Sequence, residues 1–224
     1  MRNFSLLVAT VAFSISAPLF GQEAKPVAVA PAYVIGEQWR YQHETKTSHT
    51  PPAEWVERVE RASDKEVWIM RTRGTQRSWR LIDGQSGGLK GEFAYDETSS
   101  NQVGLLRSEH LPIAAVTQFP LEVGKSYPVF QKWLNSQGSR GTSDLKAKVT
   151  AFEKIKFNNG EIDSYRVDLA GWWNNSGGGS GKMEISAWYA PAIKQIVRWE
   201  HKDFSAGFLS NHTITSVVEF KPAQ

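Results

Sequence analysis

The chain of 224 residues contains no cysteine. Disulfides, thiolate metal sites and a thiol nucleophile are therefore excluded together, as is the lipidated N-terminal cysteine of a lipoprotein. A large surplus of either sign of charge is also missing. With 26 basic against 23 acidic residues and a formal charge of +3, no field is expected that competes for nucleic acid. Long apolar runs are scarce, and none matches the length needed to cross a hydrocarbon core of roughly 30 Å. The single short one lies at the start: Arg2, then Leu6-Leu7-Val8-Ala9-Thr10-Val11-Ala12-Phe13, ending near Ala17, with Leu19-Phe20-Gly21 after it. A positive start, a short apolar stretch and a small residue at the break are the parts of an export signal. Residues 1–21 are expected to be removed near Gly21, leaving a released periplasmic protein with no membrane span.

Catalytic spacing is equally sparse. Gly84-Gln85-Ser86-Gly87-Gly88 matches the G-x-S-x-G pattern of serine hydrolases. That pattern needs a helix directly after the serine, and Leu89-Lys90-Gly91-Glu92-Phe93-Ala94-Tyr95 does not look like one. Three glycines in five residues suit a hairpin loop better. The five histidines, His43, His49, His110, His201 and His212, show no metal-ligand spacing, so no metal or other cofactor is expected. Gly177 to Gly181 lacks the Lys-Ser/Thr ending and following helix of a phosphate loop and reads as a flexible hairpin tip. The scattered charges read as the solvated face of a sheet.

What is present is a two-residue period. After a Pro/Ala-rich linker over residues 22–32, expected to be an extended tether, apolar and polar residues alternate in short runs. Trp39 and Tyr41 oppose Arg40 and Gln42; Trp79 and Leu81 oppose Arg80. Tyr165, Val167 and Leu169 oppose Arg166 and Asp168, and Val197 and Trp199 oppose Arg198 and Glu200. Ile214, Ser216, Val218 and Phe220 oppose Thr215 and Glu219. This is the signature of half-buried antiparallel strands, punctuated by turn residues such as Asp83-Gly84 and Asn158-Asn159-Gly160. Thr50-Pro51-Pro52 and the residues after it also fit a capped helix, but Val67-Trp68-Ile69-Met70 follows as a hairpin partner and favours strand. Residues 101–117 have no clean period and read as a short helix or a long loop.

The reading is one all-β domain over residues 33–221, an antiparallel meander forming a strongly curved half-barrel or barrel-like sheet. Its halves, 33–118 and 119–221, echo each other: Ile35-Gly36-Glu37-Gln38-Trp39-Arg40-Tyr41 matches Val123-Gly124-Lys125-Ser126-Tyr127-Pro128-Val129. Duplication explains this, and so does the self-similarity of any meander.

Gly36-Glu37-Gln38-Trp39-Arg40-Tyr41, Phe119-Pro120-Leu121-Glu122-Val123-Gly124-Lys125 and Trp188-Tyr189-Ala190-Pro191 resemble segments of exported bacterial strand-rich domains of unknown function. The resemblance implies a periplasmic sheet, strongly curved like those of lipoprotein carriers. It lends no catalytic residues.

The nine tryptophans remain. Either they fill a closed core or some line a groove for an apolar ligand. Trp39, Tyr41, Trp68, Trp79, Trp188 and Trp199 are the candidate ligand-binding residues. The expected function is non-enzymatic: binding an apolar or lipidic molecule, or acting as an interaction scaffold with no protein partner specified. A carbohydrate-binding surface of exposed tryptophans and a hydrolase at Ser86 are the alternatives.

Overall fold

Alternating burial turns nearly every run identified above into a strand. In the computed structural model, residues 26–224 are described; the expected export signal over 1–21 and the first residues of the linker lie outside them. Among the described residues there are twelve strands: β1 (Gln38–Thr45), β2 (Ala53–Ala62), β3 (Glu66–Arg73), β4 (Gln76–Asp83), β5 (Leu89–Tyr95), β6 (Val103–Ala114), β7 (Ser126–Asn135), β8 (Arg140–Phe157), β9 (Gly160–Asn175), β10 (Ser180–Ala190), β11 (Gln195–Ser205) and β12 (Phe208–Lys221). A single 3-10 turn, Pro191–Ile193, joins β10 to β11.

Each strand pairs antiparallel with its chain neighbours, and β1 pairs with both β2 and β12, which closes the sheet into a barrel. Closure removes the exposed edges that an open trough would leave. Two apolar clusters occupy the interior. One surrounds Tyr127, Val149, Tyr165, Val167 and Leu169; the other surrounds Trp39, Val59, Ile69 and Val217. One end is plugged by residues 26–37 and the 115–125 connection. Ala28 and Leu121 exchange backbone hydrogen bonds of 3.0 and 2.8 Å, and both are buried. The described part of the linker is thus packed against the barrel rather than hanging free, because Ala28 and Pro31 bury their side chains there.

Three local expectations change. Residues 103–114 are strand, not helix or loop; three register shifts against β5 erase the two-residue period. On β4 the phase is inverted: Arg80 and Ile82 point inward, while Trp79 and Leu81 share the outer face with Trp68 and Phe93. On β12, Thr215 and Val217 face the lumen, and a bulge opposite Arg40/Tyr41 restores Phe220 to the inside, stacked on Trp39 at 5.8 Å. The strand choice over Ala53–Ala62 agrees with β2.

The two halves share backbone detail. Gly36 and Gly124 both have φ near the left-handed region, at 97° and 99°. Gly36 N–H donates to Val59 O at 2.9 Å, and Gly124 N–H donates to Val149 O at 2.8 Å. A bulge then follows Val59 on β2 and Val149 on β8. Following the register from these points, Glu57–Arg71 on β2 and β3 occupies the place of Ala147–Leu169 on β8 and β9. Arg80–Glu92 occupies that of Ala187–Trp199.

Candidate functional site in the barrel lumen

Between the two apolar clusters lies a cavity of about 510 Å³, within the ~300–1,000 Å³ typical of small-molecule sites. Its aromatic wall comes from β1, β2 and β11. Tyr41 stacks on Trp55 at 5.3 Å with a 13° interplanar angle, and Trp199 of β11 also lines the cavity. Tyr33, from the plugging segment, covers the end and meets Trp39 edge-on at 6.1 Å.

The polar wall is built by register. Because residues two apart on a strand share a face, Trp55 and Glu57 project together, and Arg71 and Arg80 reach Glu57 from β3 and β4. Glu57 is fully buried. Its Oε1 accepts from Arg71 Nε at 2.9 Å, from Arg80 Nη1 at 3.0 Å and from Trp55 Nε1 at 3.3 Å, while Arg80 Nη1 also donates to Oε2 at 2.9 Å. Glu92 of β5 completes the group: Arg71 Nη1 donates to it at 3.1 Å, and Arg80 Nε stands 3.3 Å away without hydrogen-bond geometry. Arg71 also lies over the Trp55 ring, 5.1 Å from its centroid.

Burial opposes the charged form of Glu57, but Arg80 and Arg71 outweigh it and hold the carboxyl below its usual range. Burial likewise opposes the charge on Arg80, and the adjacent Glu57 and Glu92 raise its proton affinity regardless. Burial pushes the Tyr41 and Tyr33 hydroxyls well above the normal tyrosine range. His110, in contact with Gln131, is lowered chiefly by burial. His43, whose Nδ1 lies 2.8 Å from Thr215 Oγ1, is lowered by burial and then by Arg73. The lumen thus holds two carboxylates, two guanidiniums and histidines biased toward neutrality.

The residues selected from sequence divide among three places. Tyr41 and Trp199 line the cavity. Trp39 is wholly buried at the plugged end, donating Nε1–H to Ile193 O at 2.9 Å. Trp68 and Trp79 sit outside, roofed by Arg61, with Trp79 Nε1–H donating to Gln102 O at 2.8 Å. Trp188 is also outside, held between Arg166 and Arg198 at 5.2 and 5.6 Å and donating to Glu153 at 2.8 Å. Glu57, Arg71, Arg80, Glu92, Trp55 and His110 were not singled out. The signal existed in the alternation: Glu57 lies in phase with Trp55 and Val59, and Arg71 in phase with Val67 and Ile69.

Ser86 lies in the β4–β5 turn, its Oγ donating to Asp83 Oδ1 at 2.8 Å, and β5 follows it where a nucleophile elbow needs a helix. Among the described residues no three or more His, Asp or Glu side chains gather as a metal site, and no helix is long and apolar enough to cross a membrane. The outer face carries water-facing ion pairs such as Arg40–Glu219 at 2.7 Å and Lys154–Asp163 at 3.0 Å.

No protein-family model matches the chain, and no curated protein matches it. Solved structures do. One, described as exported and of YmcC-like fold, comes from Bacteroides fragilis: 13% identity, TM-score 0.55, covering 88% of this chain and 100% of that one. Another, described as a lipoprotein, comes from Parabacteroides distasonis: 14% identity, TM-score 0.54, covering 87% and 99%. The likeness is one of fold. It agrees in kind with the resemblance to exported bacterial domains.

Proposed function

We propose that this barrel is a periplasmic, non-catalytic carrier or receptor for a small amphipathic molecule held in its lumen. The observation that carries the reading is the cavity itself: an aromatic surface of Tyr41, Trp55 and Trp199 adjoins a hydrogen-bonding surface around Glu57, Arg71 and Arg80. Such a lumen suits a molecule with an apolar body and a polar head. Each buried methylene contributes about 0.8 kcal/mol, so a ten-carbon chain supplies about 8 kcal/mol gross. Association costs of at least about 4 kcal/mol are then offset without a dense set of polar contacts. Release into the periplasm, where apolar cargo must cross water between two membranes, fits the export signal, the cysteine-free sequence and the charged exterior. The carbohydrate alternative loses ground, since among the described residues Trp172 is the one exposed tryptophan, at 66%.

The test is to delipidate and refold the mature protein, then titrate 1-N-phenylnaphthylamine, a neutral apolar fluorophore. Saturable one-to-one binding at micromolar affinity or better is expected, and Ile196→Trp, which fills the lumen, should abolish it. Absence of any saturable signal would remove the carrier and leave a scaffold.

A further inference from the structure

The charged group in the lumen has no counterpart in the other half of the barrel. At the four places equivalent to Glu57, Arg71, Arg80 and Glu92, the second half carries Ala147, Leu169, Ala187 and Trp199. The same bulge and the same strand pairings form around an apolar set, so the architecture does not call for charge at these positions. Burying Glu57 and half-burying the other three charges costs desolvation that well-packed apolar residues avoid.

The balance of the group indicates what it would accept. Two guanidiniums already clamp a carboxylate, Glu57, which belongs to the chain itself. Glu92 neutralises the second positive charge. An anionic head placed against this group therefore meets no net positive charge from it, and an ammonium head meets no net negative one. In a partly desolvated site either would stay uncompensated. Hydrogen-bonding capacity is nevertheless available. Among the described residues Arg80 Nη2 makes no hydrogen bond, although Arg80 lines the cavity. Gln131, also on the wall, contacts His110 Nδ1 through its amide nitrogen, which leaves its carbonyl oxygen as an acceptor and His110 Nε2–H as a donor. Donors and an acceptor lining one cavity, within a group of no net charge, complement an amide or an alcohol.

We infer that the Glu57–Arg71–Arg80–Glu92 group, with His110 and Gln131, is a head-group site selecting an uncharged hydrogen-bonding head over carboxylate or ammonium. This rests on the lumen being the binding site. The experiment compares displacement of 1-N-phenylnaphthylamine by decanamide, decan-1-ol, decanoate and decylamine at pH 8, in the wild type and in Glu92→Gln. The wild type should bind decanamide and decan-1-ol at least about tenfold tighter than either ion. Glu92→Gln leaves one net positive charge and should invert the order in favour of decanoate. Arg71→Gln leaves one net negative charge and should favour decylamine, which keeps the test open if Glu92→Gln fails to fold. Equal affinity for all four heads, or an order unmoved by both variants, would overturn the head-group inference while leaving lumen binding intact. Failure of the fluorophore itself to bind would overturn the underlying reading instead.

Discussion

Arg80 donates through the single nitrogen Nη1 to both carboxylate oxygens of Glu57, at 3.0 and 2.9 Å, inside the barrel lumen. Strands β2 and β4 are not paired, so this contact crosses β3, and Arg71 of β3 reaches the same carboxylate from the shared inner face.

Removing the carboxylate charge alone should be severe. Glu57→Gln leaves two half-buried guanidiniums sharing only Glu92, and a loss of about 3 kcal/mol, the low end for a broken buried pair, is expected in urea unfolding. Replacing all four charged residues by the set found in the second half (Glu57→Ala, Arg71→Leu, Arg80→Ala and Glu92→Trp) should recover most of it, to within about 2 kcal/mol of wild type. A quadruple variant as unstable as Glu57→Gln would show that the charges are structural after all.

Acid stability follows from the same carboxyl. Glu57 has its folded proton affinity below the ordinary value of 4.5, so the unfolded chain binds the extra proton. The resulting stability is complete above pH 4.5 and is lost as pH falls through the folded value. The quadruple variant lacks this term, and its acid limb should be shallower. His110 and His43, both depressed below 6.5, add stability that is complete above pH 6.5 and lost as pH falls through their folded values. Both proteins share the His43 contribution, set by burial and Arg73, whereas that of His110 also includes Glu92 and Arg80 and changes with them, so the difference between the pH–stability curves reports the whole charged group.

Gly181 on β10 has no room for a side chain. A Cβ there would stand 1.9 Å from the Phe204 carbonyl oxygen and 3.2 Å from Trp173 Nε1. Gly181→Ala is expected to destabilise the barrel by about 1–3 kcal/mol through strand displacement. Thermal unfolding indistinguishable from wild type would show that β10 and β11 can separate there without cost.

Ser86 is tied to its own turn. Ser86→Ala removes the bond to Asp83 and is expected to cost about 0.5–1.5 kcal/mol. Any ester hydrolysis seen in the purified protein should be unchanged by the substitution; its disappearance would restore the nucleophile reading.

The candidate site was only partly legible in the sequence. Tyr41 and Trp199 were found because aromatic residues at a two-residue period mark an inner face. Arg80 was assigned to solvent, since Trp79 and Leu81 on either side are the more apolar pair. The structure reverses this because Trp79 is covered from outside by Arg61 and the backbone at Gln102. A strand with apolar residues on both faces does not disclose which face is the core. Strand β6 was hidden for a related reason: each bulge resets the alternation, and several together leave no period to read.

The sequence by itself determined most of the elements: where the strands other than β6 run, where glycine and asparagine turn the chain, and that cysteine chemistry is absent. These depend on neighbours two to four residues apart. Tertiary structure alone decided that β1 meets β12 and closes the sheet, and which side of each strand became the lumen. It alone gathered Glu57, Arg71, Arg80 and Glu92 into one balanced group. Those outcomes depend on register across strands and on what covers each face, which local sequence does not encode.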